Sequence, residues 1–202
     1  MLIDEEFINS KIIDEYKNLL SSKLNEKRYY HSLCVAEEAK RLADLYGADR
    51  NKAYLAGLLH DITKNSSESE HLQIFKAFGI ILTDVERSAE KLWHAISGAA
   101  YVKHFLDIDD EEIIGAIRYH TTARDNMTKL QSVLYLADFT SADRDYDDVD
   151  VMRKLAYESE DKALLYALEY TIKELLEKGA AVHPDTVSAY NYTVLKGKTY
   201  EI

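Results

Sequence analysis

The apolar run Leu55-Ala-Gly-Leu-Leu59 ends abruptly in His60-Asp61, and Lys64 follows one helical turn later. A short run with no polar interruption belongs in a protein interior, so its end carries an imidazole and a carboxylate inward. Burying such groups without partners costs several kcal/mol, on the order of a small domain's whole stability. The fold must therefore bring partners to this point, and a metal ion is the economical one.

Further donors appear when the histidines and isolated aspartates are taken in order. His31 lies in Arg28-Tyr-Tyr-His-Ser-Leu33 at the head of an amphipathic segment, and His94 follows Leu92-Trp93. His120 ends Ile113-Ile-Gly-Ala-Ile-Arg-Tyr-His120, and Asp138 is a lone acid in Val133-Leu-Tyr-Leu-Ala-Asp-Phe139. Each marks a different predicted helix, so the donors would converge from separate elements. Cys34 is the only cysteine, which excludes an internal disulfide and a thiolate cluster and leaves nitrogen and oxygen ligands. Such a shell suits iron, manganese, nickel, cobalt or zinc alike. Cys34 itself, between Leu33 and Val35, reads as a small core residue.

With only seven Gly and one Pro in 202 residues, and little alternation of apolar and polar positions, the chain is expected to be all-α. Its 47% hydrophobic content suits a single domain over residues 1–202. A first helix is predicted from Asp4 to Lys23, with Ile8, Ile12, Tyr16, Leu19 and Leu20 on its apolar face; residues 1–24 either cap the bundle or join a homodimer contact. The next helix carries His31, Val35, Ala39, Leu42 and Ala43 and stops at Gly47. Lys52 to Leu59 is a short buried helix. Ser67 with Glu70, Thr83 with Glu86, Asp109 with Glu112 and Thr128 with Gln131 are capping-box pairs that open later helices. They place His94 in a loop or helix start, His120 at a helix C-terminus and Asp138 within a helix. A last long helix is predicted from Asp161 to Lys178, with Leu164, Leu165, Leu168, Ile172, Leu175 and Leu176 inward and Gly179 as its stop.

The start of the chain lacks the basic and apolar regions of a signal peptide and no apolar run approaches membrane-spanning length, so a cytoplasmic protein without a membrane partner is expected. The net charge of -11 argues against nucleic acid as a partner. A polyphosphate substrate would need a local positive field, for which Arg28, Lys64 and Arg144 are the sources.

Taken together, Arg28-Tyr-Tyr-His31, Leu58-Leu-His-Asp-Ile-Thr-Lys64, Leu92-Trp-His94, Ile117-Arg-Tyr-His-Thr121, Tyr135-Leu-Ala-Asp138, Arg153-Lys-Leu-Ala156 and Pro184-Asp-Thr186 resemble, in order and spacing, the YqeK family of the HD-domain superfamily of metal-dependent phosphohydrolases. The resemblance covers residues 25–192. It implies an all-α HD-domain helical bundle and symmetrical hydrolysis of diadenosine tetraphosphate to two ADP, with iron as the divalent metal. By the same resemblance His31, His60, Asp61 and Asp138 are the metal ligands, and one ion is favoured over two. His94 and His120 are then nucleotide contacts or, alternatively, ligands of a second ion. Arg28, Lys64, Thr121, Arg144 and the segment Ala181, Val182, His183, Pro184, Asp185 and Thr186 would lie against the substrate, a dinucleoside polyphosphate or nucleoside diphosphate. Asp61 and Lys64 would be catalytic, Asp61 or alternatively Asp138 orienting the attacking water or taking its proton, and Lys64 stabilising phosphate charge.

Two departures from the family pattern touch the outer shell. Ala123 stands where Gly is common, and Thr140-Ser-Ala-Asp-Arg144 replaces Ile-Glu-Pro-x-Arg. Other readings of the same site are a phosphohydrolase of other nucleotides and a nucleotide-sensing module without turnover. The acidic stretch Asp143, Asp145, Asp147, Asp148 and Asp150 fails as an EF-hand, since Asp148 and Lys154 stand where Gly and Glu are needed, and reads as a solvated loop. His71 and His104 read as structural or exposed.

Overall fold

Side-chain caps set most helix boundaries in this chain. The computed structural model describes residues 10–196, which form α-helices and one 3₁₀ turn with no strand among the described residues. In order they are α1 (Ser10–Lys23), α2 (Glu26–Tyr46), α3 (Arg50–Leu59), α4 (Glu68–Ala77), α5 (Asp84–Ser88), the 3₁₀ turn Glu90–Leu92, α6 (Trp93–Phe105), α7 (Glu111–Tyr119), α8 (Lys129–Thr140), α9 (Val149–Glu158), α10 (Glu160–Glu177) and α11 (Pro184–Leu195).

Capping boxes form at Ser67 with Glu70, Thr83 with Glu86 and Thr128 with Gln131, as expected. The fourth expected box does not form. Asp110 rather than Asp109 caps α7, accepting from the backbone of Glu112 and Ile113, and its other carboxylate oxygen pairs with Lys52 at 2.9 Å. Asp49 caps α3 and starts it at Arg50, ahead of the expected Lys52; Ser159 caps α10 and starts it at Glu160 rather than Asp161. Gly47 ends α2 in the left-handed conformation that glycine tolerates best.

The position of the site follows from how closely α2 and α3 pack. A Cβ added to Gly57 would stand 2.7 Å from Ala36 Cα and 3.0 Å from Ala36 N, both backbone atoms, so only glycine fits. Ala36, Ala39, Ala53 and Ala56 are buried around it, and this small-residue seam lays the end of α3 beside His31 on α2. α7 and α8 complete the main core through Ile113, Ile117, Val133, Leu134 and Leu136. Phe75, Leu82, Trp93 and Ile96 form a second small core.

α1 buries Ile13 and Leu20 in the main core, as does Leu24 just after it; Ile13 is buried whereas the expected Ile12 is half-buried. The expected start of that helix, from Asp4 with Ile8 on its face, lies outside the described residues. On α10 Leu164 and Leu168 are buried with Ala163 and Ala167, but Leu165, Ile172 and Leu175 are half-buried and Leu176 is 65% exposed. The last turns of α10 therefore run past the edge of the core. Cys34 is half-buried at the rim of α2 rather than in the core. No helix of the described residues is long and apolar enough to cross a membrane.

Candidate metal centre

His60 and His120 reach the interior by the same local device. Each is the residue that ends its helix, and each Nδ1–H donates to the carbonyl three residues back, Gly57 O or Ile117 O, at 2.7 Å. That bond fixes the ring and leaves Nε2 pointing inward. His31 is presented from the first turns of α2, Asp138 from α8, and His94 from the second position of α6, the helix-start alternative of the sequence. The ring centroids of His60 lie 5.3 Å from His31 and 5.0 Å from His120.

Two overlapping donor sets result. His31, His60 and Asp138 bring one ligand atom each within 4.8 Å of one another, and so do His60, Asp61 and His120. His60 belongs to both, and its Nε2 is buried with no hydrogen-bond partner among the described residues. Leaving such an atom unpaired costs about 1–3 kcal/mol, and a cation between imidazoles and carboxylates would satisfy it. The quartet named from the sequence spans both sets, so the residues present fit a divalent ion. His94 Nε2 stands 3.2 Å from Asp61 Oδ1 and 3.1 Å from His120 Nε2, at the border of the second set.

The electrostatics match that role. Burial pushes His60 down from its ordinary value, and burial together with His60 and His94 pushes His120 well down, so both are neutral donors. Burial alone would raise Asp61, but His60, His94 and Lys64 hold it well below the usual carboxylate range. Asp138 is likewise kept low against its burial by Arg144 and His31. His31 is the exception: burial would lower it, but its bond to Asp138 raises it overall.

Cations stand on the open side of the cluster. Arg28 Nη1 is 3.2 Å from Asp61 Oδ2, Lys64 Nζ is 3.9 Å from Asp61 Oδ1 and 3.1 Å from His94 Nε2, and Arg144 pairs with Asp138 while its Nε donates to the Asp138 carbonyl at 2.6 Å. Burial lowers the Lys64 ammonium from its ordinary value. Lys27, Arg28, His31, Asp143, Arg144, Asp145 and Tyr146 line a groove of about 340 Å³ at this edge, three cations and two acids among them.

The outer residues are placed less uniformly. Thr121 Oγ1, next in sequence to His120, is buried with no hydrogen-bond partner among the described residues. In the segment 181–186, His183 caps α11 and Thr186 Oγ1 donates to Thr122 O at 2.8 Å, which ties the segment to the turn after His120. Ala181 and Pro184 are exposed, while Val182 and Asp185 are half-buried. Ala123 holds φ +55°, the left-handed conformation that explains the family's preference for Gly there.

Sequence reasoning missed two acids. Asp143, taken for part of a solvated loop, lies 2.8 Å from His31 Nδ1. Glu86, recognised only as a cap, is buried; its carboxylate pairs with Arg118 at 2.5 Å and lies 3.7 Å from His183 Nε2, and its carbonyl accepts from Trp93 Nε1 at 2.7 Å. The Thr83 pattern was the available signal for Glu86; for Asp143 there was none. His71 is structural, buried with Nδ1 2.8 Å from Ser97 Oγ, and His104 is exposed, stacked on Phe78.

Comparison with known proteins places this arrangement. The HD domain matches residues 28–143, more than half of the chain. The symmetrical bis(5'-nucleosyl)-tetraphosphatase of Halalkalibacterium halodurans is 37% identical, over 89% of this chain and 96% of that enzyme. The enzyme of the same description from Bacillus subtilis is also 37% identical, over 87% and 94%. The crystal structure described as a predicted HD superfamily hydrolase involved in NAD metabolism, from Clostridium acetobutylicum, superposes with a TM-score of 0.87 at 38% identity, covering 90% of this chain and 96% of that one.

Proposed function

Because this chain belongs to the HD-domain family and, within it, to the symmetrical bis(5'-nucleosyl)-tetraphosphatases, we propose that it hydrolyses diadenosine tetraphosphate at the central anhydride to two ADP, in the cytoplasm, with a divalent metal ion. The observation that carries this is the buried His60 Nε2, without a hydrogen-bond partner among the described residues, at the meeting point of two donor sets and near a groove to which Lys27, Arg28 and Arg144 contribute.

His31, His60, Asp61 and Asp138 would hold the ion; their imidazole and carboxylate donors suit several divalent metals, and the family resemblance favours iron among them. The set His60, Asp61 and His120 supports room for a second ion, with His94 next to it. When bound, the ion supplies Lewis acidity toward a phosphoryl oxygen and makes water a better nucleophile near neutral pH.

The chain's own groups do the rest. Arg28, Lys64 and Arg144 gather the polyphosphate against a net charge of -11, since all three edge the open side of the cluster. Lys64 and His94, in contact with each other, stabilise charge on the reacting phosphate, and Asp61 orients the attacking water from between them. The departing ADP is a good leaving group and needs little proton donation. Symmetry follows if the groove holds one nucleoside diphosphate half while the other extends into solvent. Thr121 and the segment 181–186, which Thr186 ties to the turn after His120, would contact the nucleotide.

The test is product identity. With a divalent metal and diadenosine tetraphosphate, ADP should be the only nucleotide formed. Equal ATP and AMP would refute symmetrical cleavage, and tight ADP binding without turnover of any dinucleotide would favour a nucleotide-sensing module.

A further inference from the structure

Three histidines of the centre share one arrangement, Nδ1 engaged outward and Nε2 inward, but their outward partners differ. His60 and His120 donate to backbone carbonyls of their own helices, whereas His31 meets the carboxylate of Asp143, 112 residues away, at 2.8 Å. We propose that Asp143 is a positioning residue for the metal centre: it fixes the His31 ring with Nε2 toward the Asp138 side and makes that ring a stronger donor to a divalent cation. The inference rests on the metal centre proposed above.

Asp143 is not itself placed as a ligand. It belongs to neither donor set, and it sits on the far edge of the His31 ring from the Nε2 that faces Asp138 at 2.9 Å. Its position is held twice over. Ser141 Oγ donates to Asp143 Oδ1 at 2.8 Å, leaving Oδ2 for His31. Arg153 braces the loop by donating to the carbonyls of Thr140 at 3.2 Å and of Ser141 and Arg144 at 3.0 Å. A carboxylate partner raises the basicity of a ligating imidazole more than a carbonyl does, and loss of such a partner typically weakens metal affinity about 10–100-fold. Asp143 places a negative charge at the Nδ1 edge of His31, opposite the Nε2 edge, where Arg144 Nη2 stands 3.5 Å away.

The experiment titrates metal-free protein with cobalt(II) alone, reading affinity calorimetrically and thermal stability with and without the ion. Asp143→Ala should bind cobalt about 10–100-fold more weakly than the wild type. Asp143→Asn, which keeps an acceptor for His31 Nδ1, should stay within several-fold of the wild type. The metal-free melting temperature of both variants should match the wild type, and the rise on adding cobalt should shrink for Asp143→Ala alone. Unchanged cobalt affinity in Asp143→Ala would overturn the proposal, as would a metal-free melting temperature that falls as far as the loaded one, because the role would then be structural. If wild-type protein shows no saturable cobalt binding, the metal centre and this inference fail together; an unchanged Asp143→Ala sinks this inference alone.

Discussion

The two halves of the site are built on different principles. The inner half, His60, Asp61, His94 and His120, is almost closed to solvent, and its two helix-ending histidines are anchored to carbonyls within their own helices. The outer half, Arg28, His31, Asp143 and Arg144, borders a groove and is held by charged side chains from distant parts of the chain. Local anchors fix the rings of the inner half, where we propose a cation binds. Long-range pairs such as Arg28 with Asp61 and His31 with Asp143 hold the outer half, and one of this chain's two departures from the family pattern, Thr140 to Arg144, lies there; the other, Ala123, follows His120.

The comparison can be broken most forcefully from within. Asp61→Asn keeps the shape but removes the charge that His94, Arg28 and Lys64 surround; metal occupancy should be lost and hydrolysis should fall by several orders of magnitude in steady-state assays. Lys64→Ala separates phosphate binding from metal binding. Turnover should drop by roughly one to three orders of magnitude with metal content unchanged. Loss of the ion as well would reassign Lys64 to supporting the cluster.

Gly57→Ala tests the seam that aligns the two halves. Its methyl would meet the Ala36 backbone, so stability should fall by about 1–3 kcal/mol in denaturant unfolding, whereas Gly98→Ala, with its nearest neighbours at 3.5 Å, should be close to neutral. An equal response at both glycines would mean that the close packing of α2 on α3 is not what sets the site. The smallest effect is expected at His104, exposed and stacked on Phe78 outside both halves: His104→Ala should change stability by less than about 0.5 kcal/mol and leave turnover intact.

The same contrast explains what could be read from the sequence. His60 and His120 end apolar segments, so their inward direction is written in a few neighbouring residues, as are the caps at Ser67, Thr83 and Thr128. Asp143 lies among other aspartates, and nothing local distinguishes the one that the fold carries to His31 from its solvated neighbours. Asp110 displaced Asp109 as a cap because Lys52, a residue of α3, pairs with it, and that too is a tertiary fact. Leu176 fits the helical stripe yet is exposed because periodicity shows which face is apolar and not where the core ends. The family resemblance supplied the ligand quartet, while the partners that orient it required three dimensions.

The central claim is that the buried, unpartnered Nε2 of His60 is a metal ligand. Protein purified without oxygen should carry at least one equivalent of a divalent ion per chain, and His60→Ala should lose it while remaining folded when both proteins are compared in chelator. Wild-type protein that holds no ion above background at micromolar excess of iron(II), or His60→Ala that holds as much as the wild type, would contradict the account.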